Sequence, residues 1–268
     1  MSQNNLVISL TTSPKRLPLL GTTLDSIISQ NVKPKQIIVN IPKIFKRTGE
    51  EYLDPISIFG DTYKDYVIWN SDCEDDGPIT KLQGTLKQIE ETEDVWIITI
   101  DDDIRYLQYT LELYMTTVLR VGDSKTMAYG LSGFVWDKNR IQAIHEIRPV
   151  DVIEGYGSVC YHRSHFRNKS WNSYLKKCLE NNDCKFSDDV IISNWLSLIK
   201  ITRIIVSAPW VNRRLMWSTK CILDHGNESD ALHNGGELND TVTNNTDRYI
   251  KVKIFLKEKK LLSNELMH

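Results

Sequence analysis

Three consecutive aspartates, Asp101-Asp102-Asp103, follow directly on the most continuous apolar run in the chain, Val95-Trp96-Ile97-Ile98-Thr99-Ile100. Adjacent carboxylates repel one another unless a cation or hydrogen-bond donors neutralise them. In an extended stretch positions 101 and 103 face the same side. One can then grip a hard divalent ion while the other reaches a hydroxyl. Ligands that are all oxygen, with no Cys or His adjacent, point to Mg2+ or Mn2+. The competing reading is that these acids cap a helix beginning at Ile104, where the helix dipole favours negative charge. One acid suffices for that role, and three exceed it.

A second acidic pair lies in Phe186-Ser187-Asp188-Asp189-Val190, ahead of a helical pattern with Ile191, Ile192, Trp195 and Leu196. Ser187 or Asp188 can serve there simply as the helix N-cap. The stretch Asp151–Tyr161 places Glu154 among glycines and aromatics. Gly155 and Gly157 would let the backbone approach a ligand closely, and Tyr156 or Trp136 could stack on an apolar face. Equally, the glycines form a bulge and Tyr156 packs in the core.

The elements that must position these residues alternate along the first half. Leu6–Leu10, Gln36–Asn40, Tyr66–Trp69 and Val95–Ile100 read as strands. Helical spacing runs over Leu17–Ile28, over Pro78–Ile89 with Pro78 at a first helical position, and over Ile104–Leu119. Continuous apolar strands alternating with helices signal a parallel sheet covered on both faces. In such sheets ligands bind outside the carboxyl ends of the strands, where the three aspartates fall. Further on, Met127–Val135, Val150–Tyr161 and Arg203–Val206 read as strands and Val190–Ile199 as a helix. Cys221–Thr246 is polar and rich in Gly and Asn, a long loop suited to a lid. Ile250–Leu262 closes the chain as a basic amphipathic helix whose Lys251, Lys253, Lys257, Lys259 and Lys260 form a solvated face.

The 268 residues contain 41% hydrophobic and 25% charged residues, enough apolar material for a core and too much for a disordered chain. Lys plus Arg total 33 against 35 Asp plus Glu, so the basic excess of a nucleic-acid binder is missing. Five cysteines carry no CxxC pair, which indicates reduced thiols rather than a disulfide framework or zinc ribbon. No run approaches the roughly 20 apolar residues of a membrane span, and the N-terminus lacks the basic start of a signal peptide. A cytoplasmic protein without stable membrane insertion is the expectation.

At these residues the sequence resembles a known family. The opening VISLTTSPKRLPLL…TLDSIISQNVKPKQIIVNIP is similar to the first βαβ unit of family-2-like GT-A nucleotide-sugar glycosyltransferases. DDGPITKL at 75–82 and WIITIDDDIRY at 96–106 resemble a pattern of small glycosyltransferase domains from bacteria and large DNA viruses. The resemblance covers roughly residues 5 to 235. It implies an α/β, GT-A (Rossmann-like) single domain with a mostly parallel central sheet flanked by helices. Residues 1–105 would be the nucleotide-binding half, 106–235 the acceptor half and 236–268 a C-terminal tail. A viral chain would act in the host cytoplasm.

Carried over residue by residue, the resemblance implies that Thr11, Thr12, Pro14 and Arg16 hold the nucleoside, with Asp76 and Lys81 on the next nucleotide-contacting loop. An ammonium at Lys81 can offset diphosphate charge; the alternative is an ordinary solvated helix lysine. Asp101 and Asp102 would meet ribose or sugar hydroxyls, and Asp103, with Asp101 and His233, the metal. Asp189 would be the general base and Asp188 its partner, with the two roles open to exchange. Trp136, Glu154, Gly155 and Tyr156 would shape the sugar and acceptor pocket. The implied activity is metal-dependent, inverting transfer of a sugar from a nucleoside diphosphate, a UDP-sugar as first choice, to a hydroxyl of a glycan acceptor. A retaining enzyme, a two-metal nucleotidyl or phosphoryl transferase and a non-catalytic carbohydrate-binding protein are the alternatives. The last is disfavoured because two acidic sites are costly to keep without use.

Overall fold

Strand β1 (Leu6–Thr11) sends Leu6, Ile8 and Leu10 into one core and Val7 into another, all essentially buried. A strand buried on both faces needs a helical layer on each. Helix α1 (Gly21–Ile28) supplies Leu24 and Ile27 to the first. Strand β2 (Gln36–Asn40) then pairs parallel with β1. A short hairpin, β3 (Ile44–Phe45) and β4 (Glu50–Glu51), precedes helix α2 (Pro55–Phe59), whose N-cap Asp54 accepts from the Ile56 amide. Strand β5 (Val67–Asn70) forms the sheet edge beside β2. Helix α3 (Thr80–Gln88) covers the second face with Leu82 and Leu86, and β6 (Trp96–Ile100) returns parallel to β1.

The remaining elements are β7 (Ile104–Tyr106), α4 (Thr110–Arg120), β8 (Met127–Asp137), β9 (Arg140–Ile144) and β10 (Val152–His162). Then come α5 (Asn168–Cys178), α6 (Asn182–Lys185), α7 (Asp188–Leu198), β11 (Thr202–Ile205), β12 (Trp210–Val211), β13 (Arg214–Leu215), β14 (Ser218–Cys221) and α8 (Asn245–Glu258). This computed structural model describes residues 5–120, 125–137, 140–144, 146–206, 210–211, 214–215, 218–221 and 245–267. The central sheet has the order β11-β8-β10-β6-β1-β2-β5, with β9 on β8. It is mostly parallel; the antiparallel pairings are β10 with β6 and β8, and β8 with β9. The expected α/β, Rossmann-like architecture is therefore the fold observed. Among the described residues no helix is long and apolar enough to cross a membrane.

Three expectations differ from the structure. The helical reading of Ile104–Leu119 gives way to β7 and then α4: Ile104 and Tyr106 are buried around exposed Arg105, an alternation that belongs to a strand. The partner of that strand is β14, more than a hundred residues later, so local spacing could not reveal it. Leu17–Ile28 splits into a 3-10 turn at Leu17–Leu19, containing Pro18, and then α1. The final helix spans Asn245–Glu258 rather than Ile250–Leu262, and it docks into the core through Tyr249, Val252 and Leu256 while Lys251 and Lys257 stay exposed. The expected Cys221–Thr246 loop falls largely outside the described residues.

Candidate active site

The site begins with how α3 is held. Asn40, at the end of β2, is fully buried and donates to the Leu10 and Lys81 carbonyls and to Thr85 Oγ1. Ser9 Oγ also bonds the Lys81 carbonyl and Thr85 Oγ1. Gly84 permits this approach, because a Cβ there would collide with the Asn40 side chain. The polar seam pins the first turn of α3 to the carboxyl ends of β1 and β2. Lys81 is thereby aimed at the end of β6.

A cleft of about 470 Å3 opens there, lined by Thr11–Arg16 at the end of β1, Asp101–Asp103 after β6, Lys81, and Phe45, Arg47 and Tyr52 in and beside the β3–β4 hairpin. Its place is the crevice where the strand order reverses around β1, the usual ligand position of open α/β sheets. Asp102 accepts from Thr12 Oγ1 at 2.6 Å and from Arg16 Nη1 at 3.0 Å, and the same Nη1 lies 3.3 Å from Asp103. Asp103 is only 3% exposed. Burial pushes the Asp102 carboxyl up to about 6 against the pull of Arg16, and the neighbouring Asp103 charge adds to the rise. Asp101 pairs with Lys81 at 3.1 Å, and its amide donates to the Tyr106 hydroxyl, which bonds in turn to the Gly157 carbonyl.

Through Tyr106 the end of β6 is tied to the middle of β10. Strand β10 runs antiparallel to β6, so its early residues lie beside Asp101, and Ser158 pairs with Ile100. A register shift between Glu154 and Val159, with Gly157 at φ +89°, re-aims this segment, as the glycine-rich spacing suggested. The Gly155 amide donates to Asp189 Oδ1 at 2.7 Å, and the Tyr249 hydroxyl donates to Asp189 Oδ2 at 2.9 Å. Lys81 also lies 3.7 Å from Asp188, so one ammonium bridges the strand-end acids and the acidic pair at the start of α7. Burial disfavours the Lys81 charge, but Asp101, Asp188 and Asp189 outweigh it and raise its pKa. Asp189 is held well above the usual carboxylate range, first by burial and then by Asp188, against the opposing pull of Lys81.

Most of the expected residues converge. Thr11, Thr12, Pro14, Arg16, Lys81, Asp101, Asp102 and Asp103 line the cleft. Asp188 and Asp189 join it through Lys81, and Glu154, which accepts from Ser132 Oγ at 2.8 Å, flanks Gly155. Asp76 does not line the cleft. Its neighbours Asp75 and Gly77 do, while Asp76 borders a separate hollow beside α5, its carboxyl raised by burial. Trp136 is 8% exposed; Phe134 packs edge-on against it and Lys253 Nζ lies over its ring at 4.9 Å, so its faces serve the core. Tyr156 stands 48% exposed. His233 lies outside the described residues.

The sequence reading missed the β3–β4 hairpin and Tyr249. Tyr52 donates to the Thr12 carbonyl at 2.7 Å, and Arg47 packs over Phe45 and Phe186 at 5.3 and 5.4 Å. The only local signal was Thr48-Gly49 between Phe45 and Tyr52; Gly49 takes φ +76°, as a tight turn requires. Tyr249 carried no local signal at all.

Asp101 and Asp103 offer the oxygen donors that Mg2+ or Mn2+ uses, and such ions are commonly held by one or two carboxylates together with substrate phosphates. Among the described residues no three His, Cys, Asp or Glu side chains cluster as a metal site. Around the strand end, however, three carboxylates lie close together, with Arg16 and Lys81 among their partners.

No protein-family model and no curated protein matches the chain. Solved structures with similar folds include S. aureus TarS 1–349, at 12% identity and TM-score 0.48, covering 77% of this chain and 58% of that one. The same TarS fragment in complex with UDP-GlcNAc gives 12% identity and TM-score 0.47, covering 77% and 56%. A cytidylyltransferase from Leptospira borgpetersenii gives 10% identity and TM-score 0.45 with full coverage of both chains. The chain spans somewhat over half the length of the TarS fragment.

Proposed function

We propose that this protein transfers a sugar from a nucleoside diphosphate to an acceptor hydroxyl, with inversion at the anomeric carbon and Asp189 as general base. The observation that carries the reading is the Lys81 bridge. It sets a strand-end acidic cluster in a cleft beside a second acidic pair, Asp188 buried and Asp189 half-buried, two separate roles within one polar network. Phosphate oxygens entering the cleft meet Arg16 and Lys81, which favour the charge that builds on a departing diphosphate. Thr11, Thr12 and Pro14 border the place for the nucleoside, and Phe45 and Tyr52 add aromatic walls. Asp101 and Asp103 would hold the divalent ion, which supplies Lewis-acid stabilisation of phosphate charge.

On the acceptor side, a hydroxyl hydrogen-bonded to Asp189 gives up its proton as its oxygen bonds the anomeric carbon. The bond from that carbon to the phosphate oxygen breaks, and its electron pair leaves with the diphosphate. Burial and Asp188 raise the Asp189 carboxyl and make it a stronger base, while Lys81 favours its charged form. Tyr156, exposed beside Gly155, offers a face for an acceptor sugar.

Asp189→Asn, assayed with a panel of nucleotide sugars and Mn2+ with and without chelator, should bind donor but transfer no sugar to acceptor and release no nucleoside diphosphate. Undiminished transfer by this variant would defeat the base assignment. A second reading, nucleotidyl transfer from a nucleoside triphosphate, is favoured by the added cations Lys15 and Arg47 at the cleft. Product analysis separates the two: nucleoside diphosphate marks glycosyl transfer, and pyrophosphate marks its rival.

A further inference from the structure

Helix α8 brings more to the site than a terminal cap. Its Tyr249 is 6% exposed, its ring stacks on Phe134 with centroids 5.7 Å apart and planes 17° apart, and its hydroxyl meets Asp189 Oδ2. The helix is fixed from both ends. Arg248 lies over the Phe186 ring at 5.8 Å. Beyond the helix, the Leu261 carbonyl and the Ser263 amide bond Asn194 of α7, and Glu265 bonds Ser197 and Arg203. The tyrosine is therefore held against the same helix that carries the acidic pair.

We propose that Tyr249 is the positioning residue for Asp189, clamping Oδ2 while the Gly155 amide clamps Oδ1, so that the carboxylate presents its remaining lone pairs to an acceptor hydroxyl in one orientation. This rests on the reading of Asp189 as general base. A carboxylate has about four lone-pair sites, and two donors, one on each oxygen, fix the rotation of the group while leaving sites free. Tyr249 keeps its proton throughout. Burial, together with the Asp189 and Glu154 charges, drives its pKa well above the ordinary value, so it remains a donor. The charged and titratable groups facing Asp189 are Asp188 on its own helix, Lys81 on α3, Glu154 and Tyr161 on β10, and Tyr249 on α8. Among the described residues outside α7, Lys81, the Gly155 amide and Tyr249 stabilise the carboxylate form.

Tyr249→Phe removes the hydroxyl and keeps the ring on Phe134. It should lower kcat by about 10- to 100-fold, the scale of a mispositioned reacting group, and leave the donor KM within about twofold. It should also move the acid limb of the kcat–pH profile to higher pH, because a bond donated to the charged form is lost. Replacing Tyr249 by 3-fluorotyrosine, a stronger donor of nearly the same shape, should move that limb to lower pH. Isotope-edited infrared titration of the Asp189 carboxyl in the full chain gives the same two shifts without turnover. Wild-type kcat in Tyr249→Phe, or a lowered kcat with the acid limb and the carboxyl titration unmoved, overturns the proposal. The parallel Asp189→Asn assay separates the two claims. Transfer retained there defeats the base reading itself, whereas transfer lost there, with an unaffected Tyr249→Phe, defeats only the clamp.

Discussion

Lys81→Met tests the bridge between the two acidic clusters. The lysine side chain is 11% exposed, with Asp101 at 24% and Asp188 at 10%. Removing one partner of a buried ion pair costs about 3–5 kcal/mol, because an uncompensated buried charge is left behind. The partial exposure of Asp101 lets water take up some of that loss and points to the lower end, about 3 kcal/mol. For a chain of this size that corresponds to a Tm lower by roughly 6–12 °C. The penalty should depend on pH. Asp189 is raised, so the folded state takes up its proton at a higher pH than the unfolded chain, and lowering pH favours folding. Without the opposing ammonium that effect grows, so the gap between wild type and variant should be widest near pH 8 and narrow toward pH 5. Calorimetric melting of Lys81→Met, Asp188→Asn and the double variant at both pH values measures this. The cycle should return a coupling of about 0.5–3 kcal/mol, as expected for contacting residues. A loss below about 1 kcal/mol at pH 8, strict additivity, or a gap that widens in acid would refute the bridge.

Two further predictions concern a buried histidine away from the site and a glycine within it. His165 is 1% exposed, with burial as the main cause of a pKa lowered from 6.5 to about 3 and the neighbouring His162 as a lesser one. The unfolded chain therefore binds the extra proton between those values, stability falls as pH drops from about 6.5 toward 3 by up to about 5 kcal/mol, and urea unfolding of His165→Gln should show a flatter acid slope. Gly155→Ala would set a Cβ 3.0 Å from Asp189 Oδ1 and 3.1 Å from Lys81 Nζ. It should cost about 1–3 kcal/mol of overpacking and lower kcat more than about tenfold with donor binding kept; an unchanged kcat would show that this wedge leaves the base undisturbed.

The chemistry-bearing residues at each strand end were legible because strand and site are consecutive in the chain. Asp101–Asp103 follow a run whose apolar side chains are buried on both faces, and such a run in a parallel sheet delivers its carboxyl end to the ligand crevice. Alternating strands and helices likewise gave the layered α/β architecture, since burial period is a local property. Pairing between distant segments was not legible. Ile104–Tyr106 takes strand form because β14 lies alongside it, and the same residues alone read as the start of a helix. The Phe45, Arg47 and Tyr52 wall depends on a hairpin of two-residue strands, too short to carry a pattern. Trp136 carries the same aromatic chemistry as Tyr156, and only packing assigned one to the core and the other to the surface.

Sequence alone set the kinds of groups available and the order in which the strands deliver them. Tertiary structure decided which groups share a proton or a charge. The ammonium of Lys81 lies between Asp101 and Asp188, and the hydroxyl of Tyr249 on Asp189, because the antiparallel β10, the seam at Asn40 and the docking of α8 bring them there. Hydrogen bonds and ion pairs act over about 3 Å, and residues sixty or more positions apart come that close only when the core has packed.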